Sequence, residues 1–515
     1  MSEDFRETLP AGLFPNGESV ITKARRAASF LMEVRDVPSG AVRATFESHE
    51  MALLISCRPD GGAILFAQYG PEGGFVPCLW RISSPPRPVC NIHSRFASAD
   101  FVWCPDSRRV AWRAGRHVYV FDPHVPHAQA CRAIGLADPK AGYAWSPDGA
   151  LLAGTGGLAP DAVTFWRAGG SFRVMVPGAR RVVDCAWMAE SGDLLVAIEG
   201  EDAMTRLLRH RPGGGFEILH ESEFEITRPF TMQGEPCWHE SRNGVRHLHG
   251  APFRAISWAA DEDVLVPDLA ARNPWALVTS ARSPLRLERL SADRRDIVFH
   301  GSSSHRPAAG VPRSVELTTP SGARSFGFWW HVPSATAACL WIEGGPGLSV
   351  SPAWKPLLQS LLRQNISVLA VNYRGSSRYG VRFRQTGTDD DRASDVVAGR
   401  EFLQARGFSK VVVHASSYGA VLACKALAHF DERVSLVLCA LIPCDIPPVR
   451  TPCAIAAFHG ARDPLQSPED AKLSLARIAP DSRVQWTVFP DEGHLFHRPS
   501  SLEAVRVAIC RQAAG

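Results

Sequence analysis

A chain of 515 residues and 56.1 kDa has room for two large domains or three of ordinary size. Hydrophobic residues make up 45% and charged residues 21%, which excludes a disordered, collagen-like or coiled-coil protein. The net charge of +4 is too small for a basic field that drives nucleic-acid binding, so no nucleic-acid partner is expected. Thirteen cysteines lie scattered from Cys57 to Cys510 without a C-x-x-C pair. That pattern predicts reduced, mostly buried thiols and a cytoplasmic location. The opening MSEDFRETLPAGLFPNG is acidic and lacks an apolar core, so no signal peptide is expected. No run of about 18 uncharged apolar residues occurs, so no membrane association is expected either.

The first half repeats. ISCRPDGGAILFAQY, FVWCPDSRRVAWRA, YAWSPDGALLAGT and CAWMAESGDLLVAI follow one another, centred near residues 59, 105, 147 and 189. Trp103, Trp145 and Trp187 occupy one phase of the repeat, and Trp258 follows in ISWAADEDVLVP. Each unit reads as strand, Pro-Asp-Gly turn, strand: Pro presets φ, and Asp and Gly accept the remaining turn conformations. About four strands per 42 residues is the period of a propeller blade. The sequence therefore predicts an all-β propeller of five to seven blades over residues 21–285. Residues 1–20 are expected as an N-terminal segment packing on the C-terminal domain, beyond the propeller. HESRNGVRHLHG, with His239, His247 and His249, falls where the repeat fades and reads as a solvated loop. The histidine spacing matches no metal motif, and no metal or cofactor is expected.

Residues 286–312 end in a Ser-, His- and Pro-rich stretch and read as a linker. From 313 to 515 the period changes. A hairpin turning at Ser321-Gly322 comes first. Short Val-, Ile- and Leu-rich strands (ACLWIEGG, SVLAVNYR, KVVVHAS, SLVLCALIP, AIAAFHG, VQWTVFP) then alternate with amphipathic helices. Such alternation predicts a doubly wound, mostly parallel sheet with helices on both faces, and catalytic groups at the carboxyl ends of its strands.

Three strand ends carry nucleophile chemistry. In VVVHASSYGAVL a buried strand runs through Ala415-Ser416-Ser417-Tyr418-Gly419 into a helix. A tight strand-to-helix turn needs small residues two before and two after the nucleophile. Ser417 has Ala and Gly there, whereas Ser416 has His and Tyr, so Ser417 is the candidate. Asp463 follows the strand AIAAFHG and His494 follows VQWTVFP, in the chain order Ser, Asp, His that this topology requires. A neutral imidazole must take the Ser proton while a carboxylate holds its tautomer. Asp470 reads as a helix cap, Asp491 as a turn residue, His459 as structural and His497 as a reserve base. WIEGGPGLS supplies consecutive glycines whose N–H groups are free to face an oxyanion. One donor is expected from Tyr418 and the other from Gly344 or Gly345.

IEGGPG, VNYRGSSRYG, SSYGA, HGARD and PDEGH, in this order and behind WSPDG-type blades, resemble the prolyl oligopeptidase family of serine peptidases. The resemblance implies an N-terminal β-propeller and a C-terminal α/β-hydrolase domain. It implies Ser417, Asp463 and His494 as the triad, Gly345 and Tyr418 as oxyanion donors, and Arg374-Gly375 as part of a loop beside the site. Three features depart from it. Glu343 stands where His or Tyr is usual, and turns away, binds a substrate amine or is simply a salt-bridged loop residue. The Ser-to-Asp interval is short. EFEITRP (Glu223 to Pro229) only weakly echoes an amine-binding acidic pair. The expected activity is hydrolysis of a short peptide through an acyl-enzyme, the propeller filtering substrates by size. An esterase or acyl or peptidyl transferase acting on an acylated small molecule is the alternative, and a non-catalytic propeller scaffold is a third reading.

Overall fold

The computed structural model describes residues 7–514 except 15–16, 27–28, 71–73, 90–100, 126–130, 137–141, 156–158, 266–274, 292, 304–306, 308–309 and 451. The N-terminal half forms seven small antiparallel sheets, the blades of a seven-bladed propeller. They span residues 7–48, 53–88, 102–136, 143–175, 179–222, 225–250 and 263–300. The repeated tryptophans bridge the blades. Trp145 Nε1 donates to the Val102 carbonyl at 3.0 Å, and Trp187 Nε1 donates to the Ala144 carbonyl at 3.1 Å. Each indole thus reaches back 43 residues to the preceding blade. The turns repeat as well. The N–H groups of Gly61, Ser107 and Gly149 bond to the carbonyls of Arg58, Cys104 and Ser146, and all three residues have positive φ.

Three expectations change. Glu7–Leu13 does not stand apart: it pairs with Ser19–Arg25 inside the first blade and, at Glu7 and Thr8, with Ser302–Ser303. The same segment also touches the C-terminal domain, where Trp354 Nε1 donates to Glu7 Oε1 at 3.1 Å. Ser283–Leu290 and Arg295–His300 are the outer strands of the last blade, so blade structure continues past 285 into the expected linker. Part of that stretch, 292, 304–306 and 308–309, lies outside the described residues. HESRNGVRHLHG is no loop: Glu235–Arg242 and Val245–Gly250 pair as a hairpin, with His239 fully buried. Asn243 and Gly244, with φ of 49° and 85°, make the two-residue turn whose twist matches that of the strands.

The C-terminal domain holds eight strands, β1 (Arg313–Thr318), β2 (Arg324–Trp330), β3 (Ala337–Ile342), β4 (Ile366–Asn372), β5 (Lys410–Ser416), β6 (Val434–Cys439), β7 (Ala454–Gly460) and β8 (Arg483–Phe489). They lie in the order β1-β2-β4-β3-β5-β6-β7-β8. The hairpin strands β1 and β2 are antiparallel additions, and β3 to β8 run parallel. Helices α1 (Pro356–Arg363), α2 (Val381–Gln385), α3 (Asp389–Gln404), α4 (Tyr418–Ala426), α5 (Pro468–Ile478) and α6 (Pro499–Ala514) connect or flank them. Buried clusters fill both faces. Val413, Leu340 and Leu436 face one way, under α3 and α4, while Val412, Val437 and Ala456 face the other, under α1 and α6. Alternate residues of one strand thus enter opposite cores, which is why these strands read as continuous apolar runs.

Candidate active site

Ser417 sits between β5 and α4 with φ 54° and ψ −125°. A non-glycine residue is strained in this region and persists only where its surroundings fix it. Here the Ser417 N–H donates to the Cys439 carbonyl at 2.8 Å, and the Ser417 carbonyl accepts from Ala420 N at 3.0 Å. Ala415 is fully buried. A Cβ on Gly419 would lie 2.4 Å from the Glu343 carbonyl oxygen, so only glycine lets α4 approach the end of β3 this closely.

Asp463 and His494 stand on the loops that follow β7 and β8. His494 Nδ1 lies 2.7 Å from Asp463 Oδ2, and His494 Nε2 lies 2.8 Å from Ser417 Oγ. The Asp463 side chain is fully buried and its other oxygen accepts the Leu465 N–H at 2.8 Å. The structure therefore joins the three predicted residues in one hydrogen-bonded chain, across 77 positions of sequence from Ser417 to His494. The two loops are tied together: Ala461 N donates to Phe489 O at 2.9 Å and Arg462 N to Glu492 O at 3.0 Å. Burial raises the Glu492 carboxyl, which accepts the N–H groups of His497 and Arg498 at 3.0 and 2.7 Å and so shapes the turn after His494. His497 lies near the cationic side chains of Arg25 and Lys23. Burial, then Arg25 and Lys23, push its imidazole down to about 3. His459 is fully buried beneath Asp463, with Nε2 at 3.8 Å from Oδ2. Asp470 lies in the first turn of α5, capped by the Ser467 side chain.

The glycine loop after β3 crosses Ser417. A Cβ on Gly344 would lie 3.1 Å from Ser417 Cβ, and one on Gly345 would lie 2.5 Å from the Tyr373 hydroxyl. Tyr373 fixes this loop by donating to Gly344 O at 3.0 Å. The backbone of Gly344 and the first N–H of α4, that of Tyr418, thus border Ser417. The Tyr418 side chain points off toward α3, where its hydroxyl bonds Asp389 and accepts from Arg392 Nη1 at 2.9 Å.

The two residues expected at the substrate are bound elsewhere. The Glu343 carboxylate accepts from Trp341 Nε1 at 3.0 Å and from Lys355 Nζ at 3.5 Å. Burial works to raise this carboxyl, but Lys355 and the Trp341 indole outweigh it and hold it below its ordinary range. Arg374 donates to Asp395 and to Asp391 at 3.1 and 3.2 Å and to Ser394 Oγ at 2.8 Å. With its guanidinium committed to α3, Arg374 anchors the loop after β4 and does not reach toward Ser417. The sequence did not single out Tyr373, although it lies in the VNYRG motif, nor Glu492 in PDEGH. It gave no sign of Tyr69, a propeller residue whose hydroxyl bonds the Arg462 carbonyl, because that contact exists only after the domains dock.

Residues 342–513 match the Alpha/beta hydrolase family. No curated protein sequence matches the chain. Solved structures match it end to end. A prolyl endopeptidase aligns with TM-score 0.77 and 12% identity over 99% of this chain and 89% of its own. The two-domain fold is that of the prolyl oligopeptidase group. A puromycin-hydrolyzing peptidase of Mycobacterium tuberculosis shares this prolyl oligopeptidase fold, with TM-score 0.77 and 16% identity over 100% of this chain and 95% of its own. The acylaminoacyl peptidase of Pyrococcus horikoshii shares it with TM-score 0.66 and 12% identity, over 99% and 95%. Among the described residues, no helix is long and apolar enough to cross a membrane.

Proposed function

We propose that the chain is a serine peptidase that cleaves short peptides through an acyl-enzyme on Ser417. The observation that carries this reading is the continuous contact from Asp463 through His494 to Ser417, at 2.7 and 2.8 Å, with the serine on a strained turn at a helix start. Ser417 Oγ attacks the scissile carbonyl as His494 Nε2 takes its proton. Asp463 keeps the other imidazole nitrogen protonated and steadies the cation that forms. The N–H groups of Tyr418 and of Gly344 or Gly345 receive the oxyanion. His494 then protonates the leaving amine, and a water, activated by the same imidazole, releases the acid. Neither step needs a metal or organic cofactor.

The prolyl oligopeptidase fold, which similar structures named as peptidases share, supports a peptide substrate. A propeller docked over the strand ends supports selection for small size. Buried, unbridged thiols such as Cys339, Cys424 and Cys439 are consistent with a reducing, cytoplasmic setting. A binding role for Glu343 no longer argues for transfer to an amine, since its carboxylate is engaged by Trp341 and Lys355. The test is a digest of a short-peptide library, read by mass spectrometry, with wild type beside Ser417→Ala. Wild type is expected to release fragments and to be labelled by a fluorophosphonate at Ser417. The variant is expected to lose both, with kcat down by about 10⁴-fold or more. Cleavage retained by Ser417→Ala rejects the proposal, and ligated or cyclised products in place of fragments favour a transferase.

A further inference from the structure

The residues just before Asp463 and His494 in the chain are Arg462 and Gly493, and both meet one residue of the propeller. Tyr69 ends the second strand of the second blade. Its hydroxyl donates to the Arg462 carbonyl oxygen. A Cβ on Gly493 would lie 3.2 Å from the Tyr69 ring and from its hydroxyl oxygen, so the His494 turn is seated closely on this ring, which would have to give by a few tenths of an ångström for any larger residue. The Arg462 guanidinium lies over the same ring, 4.8 Å from its centroid. It also donates to Glu50 Oε1 at 2.5 Å and to Gly70 O at 3.2 Å. The tyrosine is itself braced by Phe75, edge to face at 5.3 Å.

This contact bears on geometry that the hydrolase domain fixes from one side. Within that domain the two loops are bonded to each other beyond the last strands of the sheet. The opposite side of both loops is covered by the propeller. His494 must keep one nitrogen at 2.7 Å from Asp463 and the other at 2.8 Å from Ser417 at the same time. A displacement near 1 Å of a reacting group costs about 100-fold in rate. One side chain that bonds the Asp loop and seats the His loop fixes their relative register.

We infer that Tyr69, supplied by the propeller, is a positioning residue for the triad: it holds Asp463 and His494 in register by bonding the backbone of one loop and packing under the other. It touches neither substrate nor reacting atoms. The inference rests on the triad reading above.

The test uses the full-length chain as wild type, Tyr69→Phe and Tyr69→Ala. Phe keeps the ring under Gly493 and loses the hydroxyl bond, while Ala loses both. The substrates are a short peptide and a small acetyl ester whose hydrolysis needs nothing from the propeller surface. The ester kcat and the rate of inactivation by a fluorophosphonate are expected to fall together, by about 3- to 10-fold for Phe and about 30- to 100-fold for Ala. The ester KM is expected to stay within about twofold, and the melting temperature of the Phe variant to match wild type. A second readout needs no turnover. The His494 proton shared with Asp463 is expected as a far-downfield proton NMR signal in wild type, weakened in Phe and absent in Ala. Wild-type ester kinetics and an undisturbed downfield signal in both variants overturn the inference. So does a defect confined to the KM for peptides, which makes Tyr69 a substrate contact instead. Absence of any ester turnover or labelling in wild type rejects the peptidase reading, and the NMR comparison then still decides whether Tyr69 orders the two loops.

Discussion

At the residue scale the departure at position 343 has a physical resolution. An ionised carboxylate beside an oxyanion loop opposes the charge that develops there. In this chain the Lys355 ammonium accompanies it at 3.5 Å, and the Trp341 indole turns it toward β3. The pair is nearly neutral as seen from Ser417. Removing only the cation leaves the carboxylate charged beside the site. Lys355→Met is expected to lower kcat by about 5- to 20-fold with little change in KM, since the ground-state carbonyl carries little charge. Glu343→Gln keeps an acceptor for the indole and removes the charge, and is expected to cost less than threefold. The double variant is expected to recover most of the Lys355→Met loss. Steady-state kinetics on all four proteins measures the coupling, and purely additive losses reject this account. The sequence marked Glu343 as anomalous because the motif around it was otherwise complete. It did not show which way the side chain turns, since its partner Lys355 lies 12 residues further on, at the far end of the same loop.

At the scale of elements the propeller shows what a repeat can and cannot disclose. Trp145 and Trp187 each donate to a carbonyl in the blade before, so their common phase recorded a real inter-blade bond. Trp103 holds the same phase, but its indole nitrogen has no partner among the described residues. Replacing a buried indole by Phe removes a hydrogen bond and leaves its acceptor carbonyl unpaired, at a cost of about 1–3 kcal/mol. Trp145→Phe and Trp187→Phe are therefore expected to destabilise the chain by that amount more than Trp103→Phe. Chemical denaturation followed by circular dichroism checks the ranking, and equal losses reject it. The sixth blade escaped the repeat because it carries no Trp-Pro-Asp-Gly punctuation. Its own signal was Asn243-Gly244 between strands, hidden by a run of His and Arg that reads as solvated. His239 is nevertheless fully buried, and burial lowers its imidazole well below the usual value. The first blade is hidden in the sequence for another reason: Glu7–Leu13 and Ser302–Ser303 are neighbours only once the ring closes.

At the scale of the whole molecule, the two domains are joined by buried charge as well as by the contacts around the triad. Asp263 of the last blade accepts from Arg246 at 3.1 Å within the propeller. It also accepts from Arg378 at 3.0 Å and from the Ser351 hydroxyl at 3.3 Å, both in the hydrolase domain. Burial raises this carboxyl, but Arg378 and Arg246 outweigh it and hold it at about 2. A carboxyl depressed from the ordinary value of about 3.9 stabilises the folded state fully at pH values above that figure. The contribution, about 2 kcal/mol, is lost as the pH falls from about 4 toward 2, when the unfolded chain binds a proton that the folded one resists. Asp263→Asn removes the titration and leaves two half-buried guanidinium groups short of a counter-charge. The stability gap between wild type and this variant is expected to be widest near neutral pH and to narrow progressively below pH 4, as measured by thermal or denaturant unfolding across the series. Because Asp263 bridges the domains, its loss is also expected to increase cleavage of the full-length chain by a probe protease between them, where Gly310 and Val311 are exposed before β1. A gap that stays constant with pH would mean that the Asp263–Arg378 bridge does not form in solution.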